Sequence, residues 1–129
     1  MKKIGFVLAV TLLAFLCASA GATLAKADFE GKWSNGDNEI TITNVTEKSF
    51  EFSFEGLYIT PAGAAHMGDL TGRALFTSEN KAAFDYEDEY KAVKFEFALN
   101  DGELSVSVAE GDETGLFGTG VYMNGKYTK

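Results

Sequence analysis

KAVKFEFALNDGELSVSVA, residues Lys91 to Ala109, sets its own register. Val93, Phe95, Phe97 and Leu99 alternate with Lys94, Glu96 and Ala98, the period of a half-buried strand. Leu104, Val106 and Val108 alternate with Ser105 and Ser107 in the same way. Asn100-Asp101-Gly102 lies between them, and an Asp-Gly pair signals a tight hairpin turn. With Asp101 and Gly102 at the turn centre, Leu99 faces Leu104, Phe97 faces Val106 and Phe95 faces Val108. Every apolar residue then falls on one face, and a slip of one residue would undo that.

The same reading extends in both directions. Phe29 to Ser34 carries Gly31 and Trp33 on one side, and Gly36-Asp37 turns the chain so that Trp33 faces Ile40 and Gly31 faces Ile42. Thr46-Glu47-Lys48 turns next, and Phe50, Phe52 and Phe54 alternate with Glu51, Ser53 and Glu55. Gly56 to Ala65, with Tyr58, Ile59 and Pro61, reads as a longer loop. The following strand points Gly68, Leu70, Gly72, Ala74 and Phe76 inward, glycines that let a curved sheet bring bulky neighbours close. Ser78-Glu79-Asn80 turns, with Asn80 suited to a left-handed conformation. Ala82, Phe84 and Tyr86 line a fifth strand, and Glu87-Asp88-Glu89 leads into the central hairpin. Beyond it, Glu110 to Thr119 reads as a second long loop, and Gly120 to Thr128 as a last strand with Val121, Met123 and Tyr127 inward. The pattern predicts an all-β, eight-stranded antiparallel up-and-down barrel with no helix in residues 28–129. An open sheet or two-sheet sandwich is the alternative. Trp33, Phe52, Phe54, Phe84, Phe95, Phe97 and Tyr127 are the expected interior.

Residues 1–27 have the layout of a secretory signal peptide. Lys2 and Lys3 precede an apolar run from Ile4 to Leu16, and small residues offer cleavage sites near Ala20, Ala22 and Ala27. The run is shorter than the roughly 20 residues of a membrane span. Leu16 before Cys17 argues against a lipid anchor there. Export to the periplasm or outside the cell is the expectation, with residues 28–129 as one domain. Cys17 is the single cysteine, so the remainder has no disulfide and no thiol chemistry. Of 11 basic and 19 acidic residues, Lys2, Lys3 and Lys26 precede residue 28, leaving eight against nineteen. Such a surface disfavours nucleic acid and anionic lipid and favours cationic partners, although acidity also serves solubility alone.

Little points to catalysis. His66 is the only histidine, and no nucleophile elbow or clustered zinc ligands accompany it. Asp85, Glu87, Asp88 and Glu89 lack the spacing of an EF-hand. Gly115, Gly118 and Gly120 precede a strand rather than the helix that a phosphate loop needs. No enzyme activity, cofactor or metal is expected. Topology is more informative. In a meander the connections after strands one, three, five and seven share an end, which gathers both long loops there. That end holds Asp37, Tyr58, Ile59, Glu87, Asp88, Glu89, Glu110, Asp112, Glu113, Leu116 and Phe117. An acidic rim around apolar anchors suits a basic protein or peptide. A small apolar ligand inside the barrel is the second expectation, and a structural envelope role the third.

Gly31-x-Trp33 followed by a strand meander resembles calycin barrels such as lipocalins and avidins. The small size, the leader and the closing Gly125-Lys126-Tyr127-Thr128-Lys129 resemble exported bacterial β-barrel proteins, including the lysozyme-inhibitor-like group. That resemblance implies a closed barrel and binding, possession of a lysozyme-type target among the options. The chain departs from the disulfide-bearing inhibitors in having no cysteine beyond Cys17.

Overall fold

A computed structural model describes residues 26–129. The expected signal peptide falls almost wholly outside them. One sheet holds eight strands in chain order: β1 (Gly31–Asn35), β2 (Asn38–Thr43), β3 (Ser49–Ile59), β4 (Ala65–Ser78), β5 (Lys81–Glu87), β6 (Ala92–Asn100), β7 (Glu103–Glu110) and β8 (Gly125–Tyr127). Each pairs antiparallel with the next, so the meander is as expected. A helical turn at Lys26 and Ala27 precedes the barrel, and nothing from Asp28 onward is helical.

The central hairpin has the register its sequence dictates: Phe95 faces Val108, Phe97 faces Val106 and Leu99 faces Leu104. Asp101 and Gly102 both take positive φ, 51° and 76°, the backbone that lets a two-residue turn follow the twist of its strands. Trp33 faces Ile40 and Gly31 faces Ile42 around Gly36-Asp37.

Alternation sends the aromatic residues inward, where they meet across the barrel. Phe50 packs on Phe97 with centroids 5.4 Å apart, and Phe52 touches both Phe84 (5.0 Å) and Phe97 (5.1 Å). Trp33, Phe52, Phe54, Phe95, Phe97 and Tyr127 are all buried. Each such side chain contributes about 1.5–3 kcal/mol when sealed from water. Gly72 is the close approach this requires: a Cβ there would sit 2.5 Å from the Phe84 ring.

Several expectations are corrected. Phe29 lies before β1 and seals one end of the barrel, 5.3 Å from both Phe50 and Phe76, while its carbonyl accepts from Trp33 Nε1 (2.9 Å). Asn44, not Asn80, takes the left-handed conformation (φ 52°); Asn80 instead donates to the Leu99 carbonyl and to Asn100. The expected loop from Gly56 is strand as far as Ile59, and β4 starts at Ala65. Leu57, Tyr58 and Ile59 pair with Met67, His66 and Ala65, which leaves a short connection. The expected last strand shrinks to Gly125–Tyr127, although Val121 and Met123 are buried as foreseen. Closure rests on one pair, Ser34 with Thr128, joined by N–H···O bonds of 2.8 and 3.0 Å. The barrel is therefore nearly closed.

Candidate functional site

The connections β1–β2, β3–β4, β5–β6 and β7–β8 gather at one end of the barrel, and polar contacts tie them together. Asn38 donates to the Tyr122 carbonyl (3.1 Å) and accepts from Leu57 N–H (3.2 Å), joining the first turn to β3 and the last loop. Lys91 Nζ donates to the Thr114 carbonyl (2.6 Å), joining the β5–β6 turn to the same loop. This end is thus a built surface.

The β7–β8 loop reverses two expectations. Phe117 is buried, packed 5.0 Å from Phe54, and Leu116 rests on the core, so neither is an exposed anchor. Gly68 permits this: a Cβ there would lie 2.5 Å from Phe117 Cβ. Glu113 is 3% exposed and leaves the acidic rim. Its carboxylate accepts from Met123 N–H (2.9 Å), Asn124 N–H (3.2 Å) and the Asn124 side-chain amide. Tyr127 donates to the Met123 carbonyl (2.7 Å). Burial first, then the charge of Glu113, pushes the Tyr127 phenol well above the ordinary tyrosine range.

Asp37, Glu87, Asp88, Glu89 and Asp112 are exposed at this end, together with Glu110. Two of them are occupied in shaping turns. Asp88 accepts from the Tyr86 hydroxyl (2.7 Å) and from the N–H groups of Tyr90 and Lys91 (both 2.8 Å), and these bonds hold its carboxyl below the usual range. Asp112 accepts from Thr114 N–H (2.9 Å), with its carboxyl lowered for the same reason. Glu89 accepts from the Tyr90 hydroxyl, which holds that phenol above its ordinary range. Tyr58 and Ile59 are exposed as expected, but on β3; a Cβ on Gly120 would lie 2.4 Å from the Tyr58 ring. His66 stacks on Tyr58 with centroids 6.3 Å apart.

Two features of this surface have no signature in the sequence. Tyr90 projects from the β5–β6 turn between Glu89 and Lys91 and is 88% exposed, an aromatic in the middle of the acids. On the outer face, Glu39 faces Glu55 and Glu55 faces Asp69, a row of three acids across β2, β3 and β4. Like charges directly opposite cost stability. Two outward rows further along, past Ser53 and Thr71, the same strands show the ordinary solution, where Glu51 faces Arg73 and meets its guanidinium at 3.4 Å. In the acidic row the nearest cation is Lys32, 3.8 Å from Glu39. Glu55 and Asp69 border a hollow of about 320 Å³, with Met67, 79% exposed, on its wall. Strand parity points these acids outward, but their mutual facing depends on the β2–β3 register, which the sequence leaves open.

The opposite end has mixed charge: Lys26, Lys48, Lys81 and Lys129 stand among Glu47, Glu79, Asp28 and Asp101. Lys26 meets Glu47 (3.3 Å) and Glu79 (3.8 Å), and Lys129 lies 4.9 Å over the Trp33 ring. Among the described residues no group of three or more His, Cys, Asp or Glu is placed to hold a metal ion, and no helix is long and apolar enough to cross a membrane. Compared with known proteins, the chain matches no family model, no curated sequence and no solved structure.

Proposed function

We propose that this protein is an exported, non-enzymatic binding protein that engages a cationic protein or peptide through the acidic end of its barrel and the adjoining outer row. The observation that carries this reading is the Glu39–Glu55–Asp69 row. A sheet that sets three acids side by side gives up stability, and a basic partner would recover it. The exposed acids Asp37, Glu87, Glu89 and Glu110 extend the same field, and Tyr90, Ile59 and Met67 supply apolar contact area beside it. A lysozyme-type target fits this chemistry, since such enzymes are basic, and inhibition is the natural consequence of covering one.

The test is Glu55→Lys with Asp69→Lys, assayed against a basic lysozyme by calorimetry. The expected result is affinity lowered at least about tenfold, as several charge contacts are reversed. Unchanged affinity would refute the assignment of the row. Carriage of a small apolar ligand has less support, because Phe50, Phe52 and Phe97 meet inside the barrel at 5.1–5.4 Å. A hollow of about 420 Å³ lies instead at the opposite end, beside Trp33, Leu99 and Lys129.

A further inference from the structure

The ladder between β4 and β5 is short. Leu75 faces Ala83, Phe76 faces Ala82 and, after a bulge, Ser78 faces Lys81. The same register carried on would set Arg73 opposite Asp85 and Thr71 opposite Glu87, and neither pair forms. From Ala65 to Ala74, β4 therefore has a strand neighbour on the β3 side only, among the described residues.

Its other neighbour fixes which backbone groups are open. Thr60 N–H donates to the Ala64 carbonyl (2.8 Å), and Phe76 N–H donates to the Lys48 carbonyl (2.9 Å), at the two ends of an unbroken β3–β4 register. In an antiparallel ladder the backbone groups of successive residues point to opposite sides. The even-numbered residues of β4 thus bond to β3, and Met67, Asp69, Thr71 and Arg73 turn their N–H and C=O groups towards the open side. An edge of this length is normally blunted by lysine, proline or a covering segment, and Ala65 to Ala74 contains neither lysine nor proline.

The surroundings state what would fit. Asp69 stands on one lip, Asp85 and Glu87 on the other, and Arg73 is already engaged by Glu51 at 3.4 Å. Between the lips, Leu70, Phe84 and Tyr86 point inward yet are only partly buried, whereas Phe54, Phe95 and Phe97 are sealed. The seam offers unpaired backbone, acidic borders and an apolar floor.

We infer that the open β4 edge accepts an extended cationic segment of the partner as an added strand. Main-chain bonds to Met67, Asp69 and Thr71 give affinity, outward cationic side chains meet Asp69 and its acidic neighbours, and inward apolar ones cover Leu70 and Phe84. This rests on the cationic-partner reading and specifies how the partner is held.

The test uses the peptide (Lys-Val)4, the same peptide N-methylated at its lysine amides, and (Glu-Val)4. A strand residue opposite Asp69 with its side chain outward has its amide facing β4, so lysine N-methylation removes those donors. The expected result is binding of (Lys-Val)4 with slowed amide exchange at Met67, Asp69 and Thr71 and unchanged exchange at the even-numbered residues of β4. Affinity should fall about tenfold or more on N-methylation, from the loss of several hydrogen bonds, and (Glu-Val)4 should not bind. Thr71→Pro removes one open N–H without touching the β3 ladder and should weaken binding while the fold is retained. Equal binding of the methylated peptide, with no added protection on β4, would overturn strand addition and leave the cationic-partner reading standing on charge alone. Failure of (Lys-Val)4 to bind a protein that still binds a basic lysozyme would also overturn it.

Discussion

Glu113 illustrates how a residue's identity conceals its role. In the sequence it is one acid beside Asp112 in a glycine-rich loop. In the fold it is a buried acceptor that organises Met123 and Asn124, and only the chain's return to the barrel mouth makes that so. Glu113→Ala should cost about 2–4 kcal/mol by leaving buried donors without an acceptor, measured by urea unfolding. Glu113→Gln, which keeps one acceptor and the shape, should cost less. Tyr127 gives a prediction with a definite sign. Its folded phenol resists ionisation, so above about pH 10 the unfolded chain releases a proton that the folded chain keeps. The stability from this group is complete below that pH and declines as pH rises, by up to about 1.4 kcal/mol per pH unit. Tyr127→Phe should remove that contribution to the slope in unfolding experiments between pH 9 and pH 11, ranges set by about the ordinary tyrosine value. Tyr90 was illegible for a different reason: an aromatic in an acidic turn has no period to say whether it points in or out.

Among the elements, hairpins with two-residue turns were readable because alternation and turn chemistry agree. Asp101-Gly102 and Gly36-Asp37 each admit one register that keeps the apolar residues together. The β3–β4 hairpin is concealed in the sequence because Gly56 and Pro61 look like loop boundaries. Gly56 is in fact a strand residue under Phe54 and Val121, where a Cβ would come within 2.7 Å of either. The start of β8 is not legible in the sequence, because Val121 and Met123 are buried at alternate positions without a ladder, and burial alone gives the same pattern. The short closure predicts its own weakness. The amides of Ser34 and Thr128 should exchange faster than those of Phe95 and Phe97, measured by native-state hydrogen exchange, because one bridge shuts the barrel while β6 is paired on both sides. The acidic row makes a second prediction at this scale. Glu55→Lys should raise stability by about 0.2–1 kcal/mol through opposite-charge pairing with Glu39 and Asp69, while it weakens partner binding. A loss of stability would mean that the row is not strained by its charges.

At the scale of the whole molecule, the meander and its interior followed from strand parity, because a barrel of this size must fill itself with the inward residues of every strand. The gathering of alternate connections at one end also followed from topology alone. The distribution of charge did not, since it depends on cross-strand register and on which acids shape turns. Asp88 and Asp112 belong to the scaffold, so charge reversal is best directed at Glu55, Asp69, Glu87 and Glu89. The acidic end opposes a barrel end of mixed charge, and a field of one sign steers a basic partner at low salt and loses its reach as the Debye length shortens, to about 8 Å at physiological ionic strength.

Titration of the protein with a basic lysozyme at low and at moderate salt, with cell-wall lysis followed in parallel, decides whether this acidic surface binds a cationic protein. The expected result is binding that weakens steeply with salt, falls at least about tenfold in the Glu55→Lys, Asp69→Lys variant, and blocks lysis. Absence of binding at low salt, or binding indifferent to both salt and charge reversal, would contradict it.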